Sequence, residues 1–254
     1  MSTEATDEPS LLLIHGLGAT SGVWADLVAH LQASGSAWPG RVITPDLPGH
    51  GSSTWSGDYT VGALAAAVSA NCGDGEEVVI IGHSLGGGVA LALASGFFRP
   101  VVRSVIGLGI KVAWSEQDVV GMAKVAAKGV RWFDSAEEAT DRALLQAGLA
   151  GLVDSDHPAT VNAVTQGAGE NEGHWRVAQD PATFAQRALD FRGLMDAARC
   201  EVILGAGEGD AMVSAADLQQ YVHQPRIAAG RGHNVQVEDP AWVAGLLEEV
   251  RNGQ

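Results

Sequence analysis

Short apolar runs alternate with helically spaced stretches through the first hundred or so residues of the chain. Leu11–Ile14, Val78–Ile81 and Val101–Gly107 are dominated by Leu, Val and Ile, and Arg41–Thr44 carries a Val-Ile pair between polar ends. Continuous β-branched character of this kind belongs to strands buried on both faces. Ser21–Ala33 places Val23, Trp24, Leu27, Val28 and Leu31 on one helical stripe, and Thr60–Ala70 reads as a second helix. Strand and helix in strict alternation predict a parallel sheet covered by helices on both sides.

The rhythm stops after residue 110. From 111 to 198 the spacing predicts helices only: Gln117–Phe133, Ser135–Leu149, Pro158–Gln166 and Pro181–Ala197. Ser135 with Glu138 reads as a capping box, Asp180-Pro181 as an N-cap followed by proline, and Gly167–Gly173 as a loop. Glu201–Leu204 and Arg226–Ala229 restore the strand pattern, and Ala241–Val250 closes the chain as a helix behind Pro240. The expected organisation is a disordered acidic N-terminus (1–10), a first half of an α/β core (11–110), an all-helical lid (111–198) and the second half of the core (199–254). The sheet should have about six strands.

The richest chemistry lies where Val78–Ile81 meets the small-residue stretch Gly86-Gly87-Gly88-Val89-Ala90-Leu91. Gly82 and Gly86 flank Ser84 in the pattern G-x-S-x-G, which lets a strand and a helix approach closely around a serine held on a sharp turn. The helix that follows leaves the amide of Leu85 free to face a developing negative charge. Two further loops at the C-terminal ends of predicted strands present Asp210 and His233. Such ends converge on one rim of a parallel sheet, where ligands bind. A serine hydroxyl needs an imidazole to take its proton and a carboxylate to hold the tautomer of that imidazole. Glu208, two residues before Asp210, is the alternative carboxylate.

Composition narrows the partners. A net charge of −15, from 15 Lys plus Arg against 30 Asp plus Glu, opposes nucleic acid and anionic membranes and leaves a small-molecule substrate as the expected partner. Two cysteines, Cys72 and Cys200, are too few for a disulfide framework and suit a reducing compartment. The first ten residues carry no signal-peptide pattern and no run has the length of a membrane helix, so a cytoplasmic location is expected. The pattern specifies no oligomeric state.

Five ordered motifs resemble those of the α/β-hydrolase fold superfamily: His15-Gly16-Leu17-Gly18, Asp46-Leu47-Pro48-Gly49-His50-Gly51-Ser52-Ser53, Gly82-His83-Ser84-Leu85-Gly86-Gly87, Gly207–Val213 and Gly232–Pro240. The resemblance extends from Leu11 to Val250; the residues before Leu11 are too few for the antiparallel hairpin with which that family usually opens, and Asn234 follows His233 where many ring-cleavage C–C hydrolases of the family carry Trp. It implies that Ser84 is the nucleophile, His233 the base and then acid, Asp210 its orienting carboxylate, and that the backbone amides of Leu17 and Leu85 form an oxyanion hole. The implied reaction is hydrolysis of a small carboxylic ester, lactone or thioester through an acyl-enzyme, with no metal or organic cofactor. A lyase, synthase or cofactor-free oxygenase using Ser84 and His233 as a proton relay, or a receptor on the same scaffold, are the alternatives. His15, His50 and His83 read as structural, with the His83 side chain turned away from the site. His30, His157 and His223 read as surface residues; Trp114, Trp132, His174 and Trp175 either fill the core of the lid or line a substrate pocket, core filling being the expectation for each.

Overall fold

Six parallel strands run through the centre of the computed structural model, which describes residues 8–185 and 188–253. In chain order they are β1 (Ser10–Ile14), β2 (Val42–Ile43), β3 (Glu77–His83), β4 (Val101–Leu108), then, after an insertion with its own hairpin β5 (Val164–Gln166) and β6 (Trp175–Val177), β7 (Glu201–Gly207) and β8 (Arg226–Ala228). The spatial order is β2-β1-β3-β4-β7-β8. Leu11 pairs with Val42 on one side of β1 and with Val79 on the other, so β1 and β3 lie inside the sheet.

Alternation along the strands divides the core in two. Leu12, Ile14, Val78 and Ile80 face a cluster completed by α2 (Val61–Ser69), α3 (Leu85–Ala94) and α6 (Phe191–Ala197). Leu11, Leu13, Val79 and Ile81 face the opposite cluster, completed by α1 (Ala25–Ala33) and α9 (Pro240–Asn252). All eight strand residues are fully buried, each contributing roughly 1.5–3 kcal/mol of transfer free energy. This two-sided burial explains why the strands read as unbroken apolar runs.

The predicted elements of the core recur with their ends shifted by no more than three residues, except at the start of α1. Ser21–Trp24 forms a 3-10 turn ahead of α1 rather than part of it. Ser10 already belongs to β1, and the remainder of the expected unstructured terminus falls largely outside the described residues.

Between β4 and β7 the all-helical expectation fails. Helix α4 (Glu116–Ala126) and helix α5 (Ala136–Ala147) are present, and Ser135 accepts the Glu138 amide at 3.1 Å as the start of α5. Residues 158–166, expected as a helix, form a 3-10 turn at Pro158–Thr160 followed by β5, which pairs antiparallel with β6. Asn162 at φ 61° breaks any helix there, and the β-branched residues Val164, Thr165 and Val177 favour extended backbone. The expected helix over 181–197 is likewise divided. Pro181–Phe184 is a 3-10 turn capped by Asp180, whose carboxylate accepts the Ala182 amide at 2.9 Å. Helix α6 starts afresh behind Asp190, whose carboxylate accepts the Gly193 amide at 3.0 Å. Among the described residues no helix is long and apolar enough to cross a membrane.

Candidate active site

The site forms where β1, β3, β4, β7 and β8 end. Ser84 occupies the turn between β3 and α3 with φ 50° and ψ −115°, a conformation that costs a non-glycine residue on the order of 1–3 kcal/mol. Two glycines make that turn possible. A Cβ on Gly86 would lie 2.2 Å from the Ile14 carbonyl oxygen, and one on Gly82 would lie 2.4 Å from the Gly86 carbonyl oxygen. The Ser84 amide donates to the Leu108 carbonyl at 2.8 Å, tying the turn to β4. Ser84 stands at the N-cap of α3, yet its hydroxyl makes no capping hydrogen bond.

His233 and Asp210 meet across the loops after β8 and β7. His233 Nδ1 lies 2.9 Å from Asp210 Oδ2 and 3.1 Å from Oδ1. The Asp210 side chain is 0 % exposed, whereas that of His233 is 25 % exposed. The Met212 amide donates to Asp210 Oδ1 at 2.7 Å and fixes the carboxylate from behind. An ionised Asp210 keeps the proton on Nδ1, leaving Nε2 as an acceptor. Glu208 is engaged elsewhere: its Oε2 accepts the Gly230 amide at 2.8 Å. Of the two carboxylates left open by the sequence, Asp210 is the one paired with His233.

Ser84 and His233 line one cavity of about 550 Å³, together with Gly16, Leu17 and Leu85. That volume suits a small organic ligand. Neither the Leu17 amide nor the Leu85 amide donates to an acceptor among the described residues. Most of the remaining wall is apolar, from Val61, Ile110, Met122, Leu145, Phe184 and Leu189. Trp114 belongs to this wall rather than to the core; its indole Nε1 donates to the Lys111 carbonyl at 2.9 Å.

The histidines divide by burial. His83 is 3 % exposed and, against expectation, borders the cavity; its Nε2 lies 2.9 Å from the His233 carbonyl oxygen, and its ring centroid 4.7 Å from that of His233. Burial, reinforced by His233, holds its pKa well below the ordinary histidine value, so it is neutral and donates through Nε2. His15 is structural as expected: its Nδ1 donates to the Gly16 carbonyl at 2.8 Å, and its Nε2 accepts the Leu47 amide at 2.9 Å. That second bond joins the turn after β1 to the loop after β2. His50 sits edge-on to His15 with centroids 5.2 Å apart, and burial lowers its pKa to about 3. His157 departs from its surface expectation: its side chain is 15 % exposed, with Nε2 3.1 Å from Asp26. Burial pushes the Cys72 and Cys200 thiols up to about 11, which keeps both protonated and poorly nucleophilic.

Sequence reasoning missed Lys111, which follows the end of β4 and lines the cavity with its side chain 16 % exposed. Its ammonium lies 3.3 Å from Asp118 of α4 and 5.5 Å from the Trp114 ring centroid. Its place just beyond a parallel strand was the available signal.

The chain is 40 % identical to Lipase LipV of Mycobacterium tuberculosis over 88 residues, 34 % of this chain and 31 % of that protein. It is 29 % identical to the pimeloyl-[acyl-carrier protein] methyl ester esterase of Aromatoleum aromaticum over 97 % of this chain and 100 % of that one. The chain spans under a third of the length of four curated relatives it matches, LipV among them. The solved thioesterase domain from the curacin biosynthetic pathway superposes with a TM-score of 0.73 at 19 % identity, covering 95 % of this chain and 91 % of that one, a likeness of fold. The model of the alpha/beta hydrolase family matches residues 11–246, and the chain belongs to that family.

Proposed function

We propose that the protein is a serine hydrolase that cleaves a small carboxylic ester through an acyl-enzyme on Ser84. The observation that carries this reading is the convergence, at one cavity, of a strained serine with an uncommitted hydroxyl and a histidine whose Nδ1 is held by a fully buried carboxylate. In this reading His233 Nε2 takes the Ser84 proton as Oγ attacks the ester carbonyl. The amides of Leu17 and Leu85 donate to the oxyanion of the tetrahedral intermediate. Collapse expels the alkoxide, which receives the proton from His233, and a water activated by the same nitrogen then releases the acid. No step calls on a metal or an organic cofactor.

The names of the relatives, a lipase and a methyl ester esterase, support an ester as the bond cleaved. The apolar wall supports an uncharged group next to the scissile bond. Residues 111–198 act as the lid of the proposed enzyme, since Trp114, Gln117, Met122 and Phe184 from this segment line the cavity that holds Ser84 and His233. The test is steady-state hydrolysis of a p-nitrophenyl ester panel by wild type and Ser84→Ala. Turnover by wild type that disappears in a folded variant supports the reading. Equal turnover by both proteins refutes it.

A further inference from the structure

A second cavity of about 470 Å³ adjoins the first and shares Gln146 and Phe184 with it. Its lining is cationic. Lys128, Arg131 and Arg142 border it, and none of its other lining residues is acidic. None of the ion pairs among the described residues uses any of these three side chains, although acids outnumber bases two to one in the chain. Among the described residues Arg131 lies against the Phe133 ring, whose centroid is 4.6 Å from its guanidinium carbon. From Val119 to Phe133 the sequence has three cations and no anion, in a chain of net charge −15. Three unneutralised cations around one concavity repel one another, and an anion placed among them relieves that repulsion.

We propose that this cavity is an anion subsite, which selects esters carrying a carboxylate or phosphate at the end remote from the scissile bond. The inference rests on the ester-hydrolase reading and gives it a substrate class. The uncharged part of the substrate occupies the apolar cavity beside Ser84, and the anionic end reaches past Gln146 and Phe184 to the guanidinium groups. Gln146 Nε2, 3.4 Å from the Gln179 side-chain oxygen, supplies a neutral polar donor on that path.

The experiment pairs substrates that differ only in the remote charge. One arm compares the p-nitrophenyl monoester of a dicarboxylic acid with the p-nitrophenyl ester of the monocarboxylic acid of equal length, over four to eight carbons. The other compares the butyrate of a monophosphorylated alkanediol with the butyrate of the parent alcohol, which separates an anion on the acyl side from one on the alcohol side. In wild type the anionic member of at least one pair should show about tenfold higher kcat/KM, an advantage that shrinks as salt is raised. Arg131→Gln, Arg142→Gln and Lys128→Gln should each lower the anionic-to-neutral ratio about threefold, and the triple variant should bring it near one. A wild-type ratio at or below one in both arms overturns the subsite while leaving the ester reading intact. A ratio that survives in the triple variant also overturns it. Should no ester be cleaved, titration of Ser84→Ala with inorganic phosphate and with glutarate, followed by calorimetry, still decides: saturable binding lost in the triple variant supports the subsite, and no binding refutes it.

Discussion

Asp210→Asn is the most informative single change, because the geometry dictates how the new amide must sit. Asp210 Oδ1 accepts the Met212 amide at 2.7 Å, while Oδ2 lies 2.9 Å from His233 Nδ1. An asparagine has one acceptor and must place it against the Met212 donor, which turns its NH₂ toward His233. The oxygen that stays with Met212 is the more distant partner of Nδ1, at 3.1 Å, so His233 meets the new NH₂ at the closer position and relieves that clash of donors by moving its proton to Nε2, the nitrogen that should receive the proton of Ser84. Restoring the reactive tautomer sets two buried donors face to face, at about 1–3 kcal/mol each, and the imidazolium loses a charged partner of similar worth. The barrier should therefore rise by about 4–6 kcal/mol, or about 10³–10⁴-fold in kcat. The assay is kcat and KM on a p-nitrophenyl ester, with nitrogen NMR of His233 to read the tautomer. KM should move little, since Asp210 does not border the cavity. Glu208→Gln serves as the comparison and should retain activity within about threefold, because among the described residues the Glu208 side chain holds only the Gly230 amide. Activity of Asp210→Asn within tenfold of wild type, or an equal loss in Glu208→Gln, would refute the assignment.

Three other outcomes follow from the buried histidines and the tight turn. His15, His50 and His83 are buried with lowered pKa values, about 3 for His50, so the unfolded chain binds protons near pH 6.5 that the native state refuses. Stability should be complete above about pH 6.5 and fall as pH drops below it, by up to about 4 kcal/mol per pH unit while all three contribute; urea unfolding from pH 7 to 5 checks this, and a flat midpoint contradicts it. His83→Leu removes the donor to the His233 carbonyl and should destabilise the fold by about 1–3 kcal/mol while lowering kcat more than KM is raised. Gly86→Ala drives a methyl group to 2.2 Å from the Ile14 oxygen and should cost at least about 3 kcal/mol, seen as loss of soluble protein or a large drop in Tm.

The sequence disclosed most of the sheet because its strands are buried on both faces, which writes them as unbroken runs such as Val78–Ile81. Ser84, Asp210 and His233 were legible for a related reason: each lies in a glycine-containing loop just past such a run, and the order of the three is visible in the chain. The insertion between β4 and β7 was harder to read. Helix α4 was read from its spacing, although the reading ran past its end at Ala126 to Phe133, whereas β5 and β6 are three-residue strands with no fully buried position and write no alternation. Asn162, at φ 61°, marks a turn that a helical count passes over. The cavity walls were beyond reach because they join residues as distant as Leu17, Trp114 and Phe184, whose meeting depends on tertiary packing.

The central claim is that Ser84 is an activated nucleophile, and covalent labelling tests it most directly. Wild type and Ser84→Ala are incubated with a small fluorophosphonate and weighed intact by mass spectrometry, with the modified peptide sequenced. One phosphonyl adduct is expected on wild type, located on Ser84, and none on the variant. Labelling of both proteins at another residue, or a wild type that cleaves esters while its Ser84 stays unmodified, would contradict it.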